Sequence, residues 1–414
     1  MLYLDNSIKR IESIIETIDV LKQTDFPYES PKKALDKIEK RFNFHLERLK
    51  RLKEAPTQAS AAMINACAES LNEISNCLPI LGFISNSANI RNPFETYAPL
   101  LRLSRKALEP ESELIISSEW FYSPFVTSYY VIPEFVMLGL PAQESENPLL
   151  IPLSGHELGH CIWALYNQRE NLKDKIREKL YKIVKEIYLK DIERIFSHLT
   201  ESINTAELEN DLYINQLLAE PFEMAIKHTM EIFCDFIGLK LFSEAYLYAI
   251  SYIMAPNPSR RRSPNYPKNL DRMHHLLDCA KDYGVSIPPD FLGNFTEEPE
   301  PIMTMKLYFD IADDTSRAMV PYLIVLAKEI IESKSIPNRS QSEVAREVNL
   351  LKKRIPISSA TSISDIVNAG WICYLDDTIW LINEIKPEEK DRLIKELILK
   401  SFEVYEVERR LKSE

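Results

Sequence analysis

Apolar residues recur every three or four positions along most of this chain, and that period constrains the fold before any motif is considered. Ile8, Ile11, Ile15 and Ile18 fall on one side of the first segment and leave Lys9, Arg10 and Glu12 for the other, the pattern of an amphipathic helix. A second helix is signalled by Ser30, read as its N-cap, with Pro31 at the first helical position and Leu35, Ile38, Phe42 and Leu49 on one stripe. Together these predict an antiparallel helical hairpin. The segment 57–81 is rich in alanine and is expected to pack closely on its neighbours. Periodic helices return over 171–203 and 217–248, and again over 303–333, 342–354, 362–375 and 388–411. Only 8 glycines accompany 25 prolines in 414 residues. That scarcity disfavours turn-rich all-β folds and glycine-loop dinucleotide folds, and it makes the prolines punctuation between helices.

One stretch departs from this texture. Residues 113–120 (ELIISSEW), 125–132 (FVTSYYVI) and 134–141 (EFVMLGLP) are rich in β-branched and aromatic side chains and predict a small sheet. The expected fold is mainly α with one small β-sheet, an α+β chain. Proline-rich passages at 254–269 and 287–302 suggest three parts: a helical N-terminal region over 1–110, a core over 111–300 and a helical C-terminal region over 301–414.

The formal charge of -12 repels phosphate backbones and anionic headgroups, so nucleic acid is not an expected partner. The run Arg260-Arg261-Arg262 reads as a solvated loop. The most apolar region, 120–142, is interrupted by Pro124, Pro133 and Glu134, whereas a membrane span needs about 20 predominantly apolar residues. No membrane association is expected. The first 22 residues lack the basic start and unbroken apolar run of a secretory signal. Six dispersed cysteines without CxxC spacing suggest reduced thiols. These features predict a cytoplasmic protein.

Chemistry enters at 155–160, GHELGH. Residues four apart share a helix face, so His156 and His160 can direct both imidazoles at one metal ion, while Glu157 is rotated by about 100° and can reach a water on that ion. Gly159 leaves the face between them bare and lets another element approach. A catalytic zinc needs a third protein ligand and an open position for water. No third histidine follows at short range. The best source is KHTMEIFCDFIGLKLF, where Glu231 and Asp235 lie four apart on an otherwise apolar helix; two carboxylates there need a cation to offset their desolvation. Glu231 is expected to bind the metal, and Asp235 to hydrogen-bond the distal nitrogen of a ligand histidine.

HExxH followed by ExxxD resembles the gluzincin zinc metallopeptidases, over about residues 150–245. Glu231 lies 71 residues beyond His160, a separation wider than in thermolysin-like enzymes and closer to that of the CaaX-processing and heat-shock membrane peptidases. The chain departs from the latter in lacking transmembrane helices, so their membrane substrates are not implied. The resemblance implies a zincin-like core, Zn2+ held by His156, His160 and Glu231, and peptide hydrolysis by a metal-activated water with Glu157 as general base. SPNYPKNLDRMHHLL is similar to the segment that follows ExxxD in several gluzincins, with Tyr266 where a histidine is common. Tyr266, Arg272 and His274 are its candidate oxyanion donors, with His275 beside them. The strand 113–120 is a candidate edge on which a peptide substrate could add as a strand.

His228 shares the helical face of Glu231 and reads as a supporting or surface residue; His45 and His198 read as solvated. An alternative reading is a helical interaction or regulatory protein with a structural or inactive zinc site, binding a partner protein through its terminal helical regions. A structural site would be closed by a fourth protein ligand. Cys161 and Cys234 stand beside the motif residues, but their helical offsets turn them away from the metal. A metallohydrolase acting on carbonyl substrates other than peptides is a third possibility.

Overall fold

The computed structural model describes all residues except 1, 55–59, 91–92, 122–123, 128–130, 197–207, 257–260, 300, 337–338, 359–361, 378–385 and 414. The chain is mainly helical with one three-stranded sheet, as its periodicity predicts, and it forms two compact units.

The first unit comprises residues 1–105 and 109–146. It contains α1 (Leu2–Lys22), α2 (Ser30–Glu54), α3 (Ser60–Asn86) and most of α4 (Pro93–Ala107), followed by β1 (Glu113–Glu119), β2 (Phe125–Thr127) and β3 (Phe135–Pro141). Ile8, Ile11 and Ile18 of α1 meet Leu35, Ile38, Phe42 and Leu49 of α2 in a core completed by α3 and the sheet. Those are the stripes the sequence pattern marks. Ser30 departs from its expected role. It is the first helical residue, and its hydroxyl donates to Glu113 Oε2 at 2.6 Å instead of capping a free amide.

The sheet order is β1-β3-β2, with β1 parallel and β2 antiparallel to β3. The predicted strand 125–132 is shorter than expected: β2 ends at Thr127, and 128–130 lie outside the described residues. β1 is an edge strand, but its free side is not open along its length. The Tyr28 hydroxyl bonds both the N–H and the carbonyl of Ile116, each at 2.7 Å. An added peptide strand would have to displace Tyr28 there, so at Ile116 the edge expected to receive substrate is occupied.

The second unit comprises residues 106–108 and 147–414. Its helices are α5 (Leu153–Leu165), α6 (Gln168–Ile183), α7 (Leu189–Ile195), α8 (Leu212–Phe242), α9 (Glu244–Met254), α10 (Asn269–Tyr283), α11 (Met303–Ser333), α12 (Gln341–Lys352), α13 (Ile363–Leu375) and α14 (Pro387–Ser413). The long helix α8 is its axis and packs on both α5 and α11. Asp211 starts α8 by accepting hydrogen bonds from the amides of Tyr213 and Ile214, which satisfies two donors that a helix start leaves unpaired. Most of the second half of α8 is buried, including Phe233, Phe236 and Phe242. At its end Ser243 takes φ 55°, and the chain turns directly into α9.

No described helix is long and apolar enough to cross a membrane. The three arginines at 260–262 are not uniformly solvated. Arg260 lies outside the described residues, whereas the Arg262 side chain is only 6% exposed and pairs with Glu298 and Asp313.

Candidate metal centre

The site is built where α5 crosses α8, and the crossing is close because small residues face each other. A Cβ on Gly159 would lie 2.7 Å from Cys234 Cα, and one on Gly155 would lie 3.0 Å from Gly238 Cα. Neither helix could approach so far with larger side chains at those positions. The bare face expected at Gly159 is thus filled by the backbone of α8. The crossing brings Glu231 to the two histidines.

His156, His160 and Glu231 each offer one donor atom, and these atoms all lie within 4.8 Å of one another. Nε2 of His156 is 3.3 Å from Glu231 Oε2, and Nε2 of His160 is 3.6 Å from Glu231 Oε1. The two imidazoles meet edge to face, their centroids 4.9 Å apart. Glu231 is 4% exposed, and its Oε2 is buried without a hydrogen bond. A buried carboxylate oxygen lacking a donor is costly. A cation among the three groups removes that cost, so these residues fit a metal ion.

Asp235, one turn beyond Glu231, supports His156 as expected. A carboxylate only accepts, so His156 donates its Nδ1–H to Asp235 Oδ1 at 2.9 Å and leaves Nε2 facing the cluster. Two further groups fix Asp235. Arg272 of α10 donates from Nε to Oδ2 at 2.6 Å and from Nη2 to Oδ1 at 2.8 Å, and the Tyr246 hydroxyl of α9 donates to Oδ1 at 2.7 Å.

Tyr246 was not legible as a site residue. It is fully buried, and its ring occupies the space that the missing side chain of Gly238 leaves, since a Cβ there would come within 2.6 Å of the ring. The only sequence signal was a glycine eight residues before a tyrosine, across a helix turn.

Burial and charge act in opposition in this cluster. Desolvation would hold the His156 ring neutral, but the neighbouring carboxylates of Asp235 and Glu231 outweigh it and push the pKa up to about 10. His160 is pushed down to about 4, first by burial and then by the neighbouring His156 charge. Burial alone would raise both carboxyls. Arg272 and His156 hold Asp235 well below the usual carboxylate range, and His156 chiefly lowers Glu231.

The other candidates separate clearly. Glu157 is buried on α5, directly after His156. Arg272 is in the site: its Nε–Nη2 edge lies on Asp235, and Nη2 is also 3.7 Å from Glu231 Oε2, so it acts there as a positioning group behind His156. Tyr266 is 45% exposed, with the Arg272 guanidinium 5.6 Å from its ring centroid. The nearby Glu231 charge, with burial second, raises its hydroxyl pKa, so it stays a neutral donor beside the cluster. His274 is exposed on α10 and no described contact joins it to the His156–His160–Glu231 cluster, whereas its neighbour His275 is buried.

His228 is neither supporting nor on the surface. It is fully buried, with Nδ1 3.0 Å from Asp313 Oδ1 on α11. His45 is half-buried, its pKa lowered by burial, and His198 lies outside the described residues. A separate cavity of about 290 Å³ is lined by Arg262, Arg317, Asp271, Asp313 and Asp314 among others. Its arginines bridge those carboxylates at 2.6–2.9 Å, so they are spent on structure. Among the described residues the group that could hold a metal ion consists of His156, His160 and Glu231; Cys161 and Cys234 are buried but outside it.

No family model matches the sequence, and no curated protein or solved structure is similar to it.

Proposed function

We propose that this chain is a zinc-dependent hydrolase that cleaves peptide bonds, with a zincin-like core built on α5 and α8. The observation that carries this reading is the convergence of His156, His160 and Glu231 from two helices, with Asp235 behind His156. Two imidazoles and one carboxylate are a donor set suited to catalytic zinc, whereas Mg2+ and Ca2+ favour oxygen alone. His156, His160 and Glu231 hold the ion. When bound, it supplies Lewis acidity toward a carbonyl oxygen and lowers the pKa of a water.

Glu157 takes the proton of the attacking water and returns it to the leaving amine. Tyr266 donates a hydrogen bond to the oxyanion of the tetrahedral intermediate. Arg272 and Tyr246 act one step removed, by holding Asp235 against His156. The three-residue set supports an enzyme over a structural site, because a structural zinc is closed by four protein ligands. Six buried cysteines, none in a disulfide, fit a reducing, cytoplasmic setting.

Elemental analysis paired with peptide cleavage tests the proposal. The purified protein should carry about one zinc per chain, and His156→Ala should remove it. Glu157→Gln should keep the metal while turnover falls on the order of 100-fold or more. A wild-type chain without metal, or a Glu157→Gln variant as active as wild type, refutes this function.

A further inference from the structure

The outer face of α3 carries a seven-residue repeat that the first unit does not use. Ala61, Ala68, Ser75 and Gly82 recur at intervals of seven, and Ile64, Leu71 and Leu78 recur at the same interval between them. All seven are exposed, Ile64 by 53%, Leu71 by 38% and Leu78 by 51%, while Ala66, Cys67, Cys77, Ile80, Leu81 and Ile84 form the buried face of the same helix. The alanines of this segment divide: Ala66 packs inside the unit as expected, whereas Ala61, Ala62 and Ala68 point outward.

A small residue at one position of every heptad and a large aliphatic at the other is a helix-pairing pattern. The face is also almost without charge, in a chain that is 27% charged. Between Ala61 and Asn86 the only charged residues are Glu69 and Glu73, paired with Arg48 and Arg41 of α2. The Ser75 hydroxyl donates to the Leu71 carbonyl at 3.0 Å, so covering it leaves no unmet donor.

We propose that this face binds the same face of a second copy of the chain, α3 running antiparallel to α3 across a twofold axis. Antiparallel pairing sets the first heptad position of one helix against the fourth position of the other. Every large side chain then meets a small one: Ile64 faces Gly82, Leu71 faces Ser75, and Leu78 faces Ala68. Parallel pairing would stack small on small and large on large, leaving voids and crowding in alternation. A shift by one heptad in one direction would bring the Glu69 side chains of the two copies together beside the axis, and a shift in the other would carry Ile64 past the end of the partner helix. The chosen register avoids that like-charge contact, which matters in a chain of net charge -12.

The repeat extends about 30 Å at 1.5 Å per residue. Each copy would cover on the order of 600 Å², near the lower limit for a specific interface. Association in the micromolar range is therefore expected.

Sedimentation velocity of the full chain from about 1 to about 100 µM tests this. Wild type should shift from monomer to dimer across that range. Leu71→Asp combined with Leu78→Asp should stay monomeric, with unchanged far-UV circular dichroism and melting temperature because both positions are exposed. Register is read from separately tagged Ala68→Cys and Leu78→Cys chains, which should form a disulfide-linked dimer when mixed and oxidised, and little when either is alone. A wild-type monomer at the highest concentration overturns the proposal, as does a dimer that survives both aspartates. Efficient cross-linking of either cysteine variant alone overturns the antiparallel register.

Discussion

Asp235 holds His156 from the neighbouring helix, its Oδ1 2.9 Å from the ring Nδ1, while the same carboxylate is gripped by Arg272 and Tyr246. One aspartate therefore orients an imidazole of the cluster and also offsets the charge of a buried guanidinium. Asp235→Asn tests both roles. An amide lacks the charge that offsets Arg272, and stability should fall by about 3–5 kcal/mol. Metal affinity, measured by competition with a chelator, should fall about 10–100-fold. Unchanged affinity in a folded variant would remove Asp235 from the site.

Metal uptake should release a proton near neutral pH. With His156 pushed up to about 10 and His160 down to about 4, the metal-free cluster carries one proton on His156 across the interval between them. An ion at Nε2 must displace it. Affinity should rise about tenfold per pH unit over that interval, and calorimetry in buffers of different ionisation enthalpy should count about one proton per ion. The metal-free chain should show the linked stability effect. The raised histidine stabilises fully below the unfolded value of about 6.5, and its contribution is lost as pH rises toward 10. The lowered carboxyls of Glu231 and Asp235 act in the opposite sense, stabilising above about pH 4 and failing as pH falls below it. Proton-free binding at pH 7 would contradict this arrangement.

Gly159→Ala tests the helix crossing on which the cluster depends. Its methyl would lie 2.7 Å from Cys234 Cα, and backbone on both sides leaves no flexible group to yield. The expected loss is about 1–3 kcal/mol of stability, accompanied by weaker metal binding, because separating α5 from α8 moves Glu231 away from both imidazoles. Chemical denaturation and metal competition on the same sample would read both effects. A variant with wild-type values in each would show that the crossing can relax.

The parts of this arrangement that rest on period and spacing were legible in the sequence. His156 and His160 four apart, Glu231 and Asp235 four apart, and the apolar stripes of α1 and α2 all follow from 3.6 residues per turn. The sheet was legible from its β-branched runs, but its edge was not, because Tyr28 reaches Ile116 from 88 residues away. Arg272 could be named but its partner could not: a guanidinium near a site reads equally well as a substrate donor or as the counter-charge of a buried aspartate, and only tertiary geometry decides. Tyr246 left only the faint signal of Gly238 eight residues before it, and the buried His228–Asp313 pair left no local pattern. The outward turn of Ala61 and Ala68 was hidden because alanine suits a helix interior and an interface alike.

The C-terminal helices contain a carboxyl that works against the fold at high pH. Glu347 of α12 is fully buried, both of its oxygens lack a hydrogen bond, and burial followed by the nearby Asp365 charge pushes its pKa up to about 8. A raised carboxyl pKa means that the folded chain keeps a proton which the unfolded chain releases. Stability should therefore fall as pH rises from about 4 toward 8 and level off beyond. Glu347→Gln keeps the shape and removes the ionisation. It should flatten that decline and stabilise the chain by on the order of 1–3 kcal/mol at about pH 9, measured by denaturant unfolding across the pH range. Metal binding at His156, His160 and Glu231 should be unaffected, since the gain comes from α12 and α13. An unchanged pH slope in the variant would mean that Glu347 titrates in the ordinary carboxylate range.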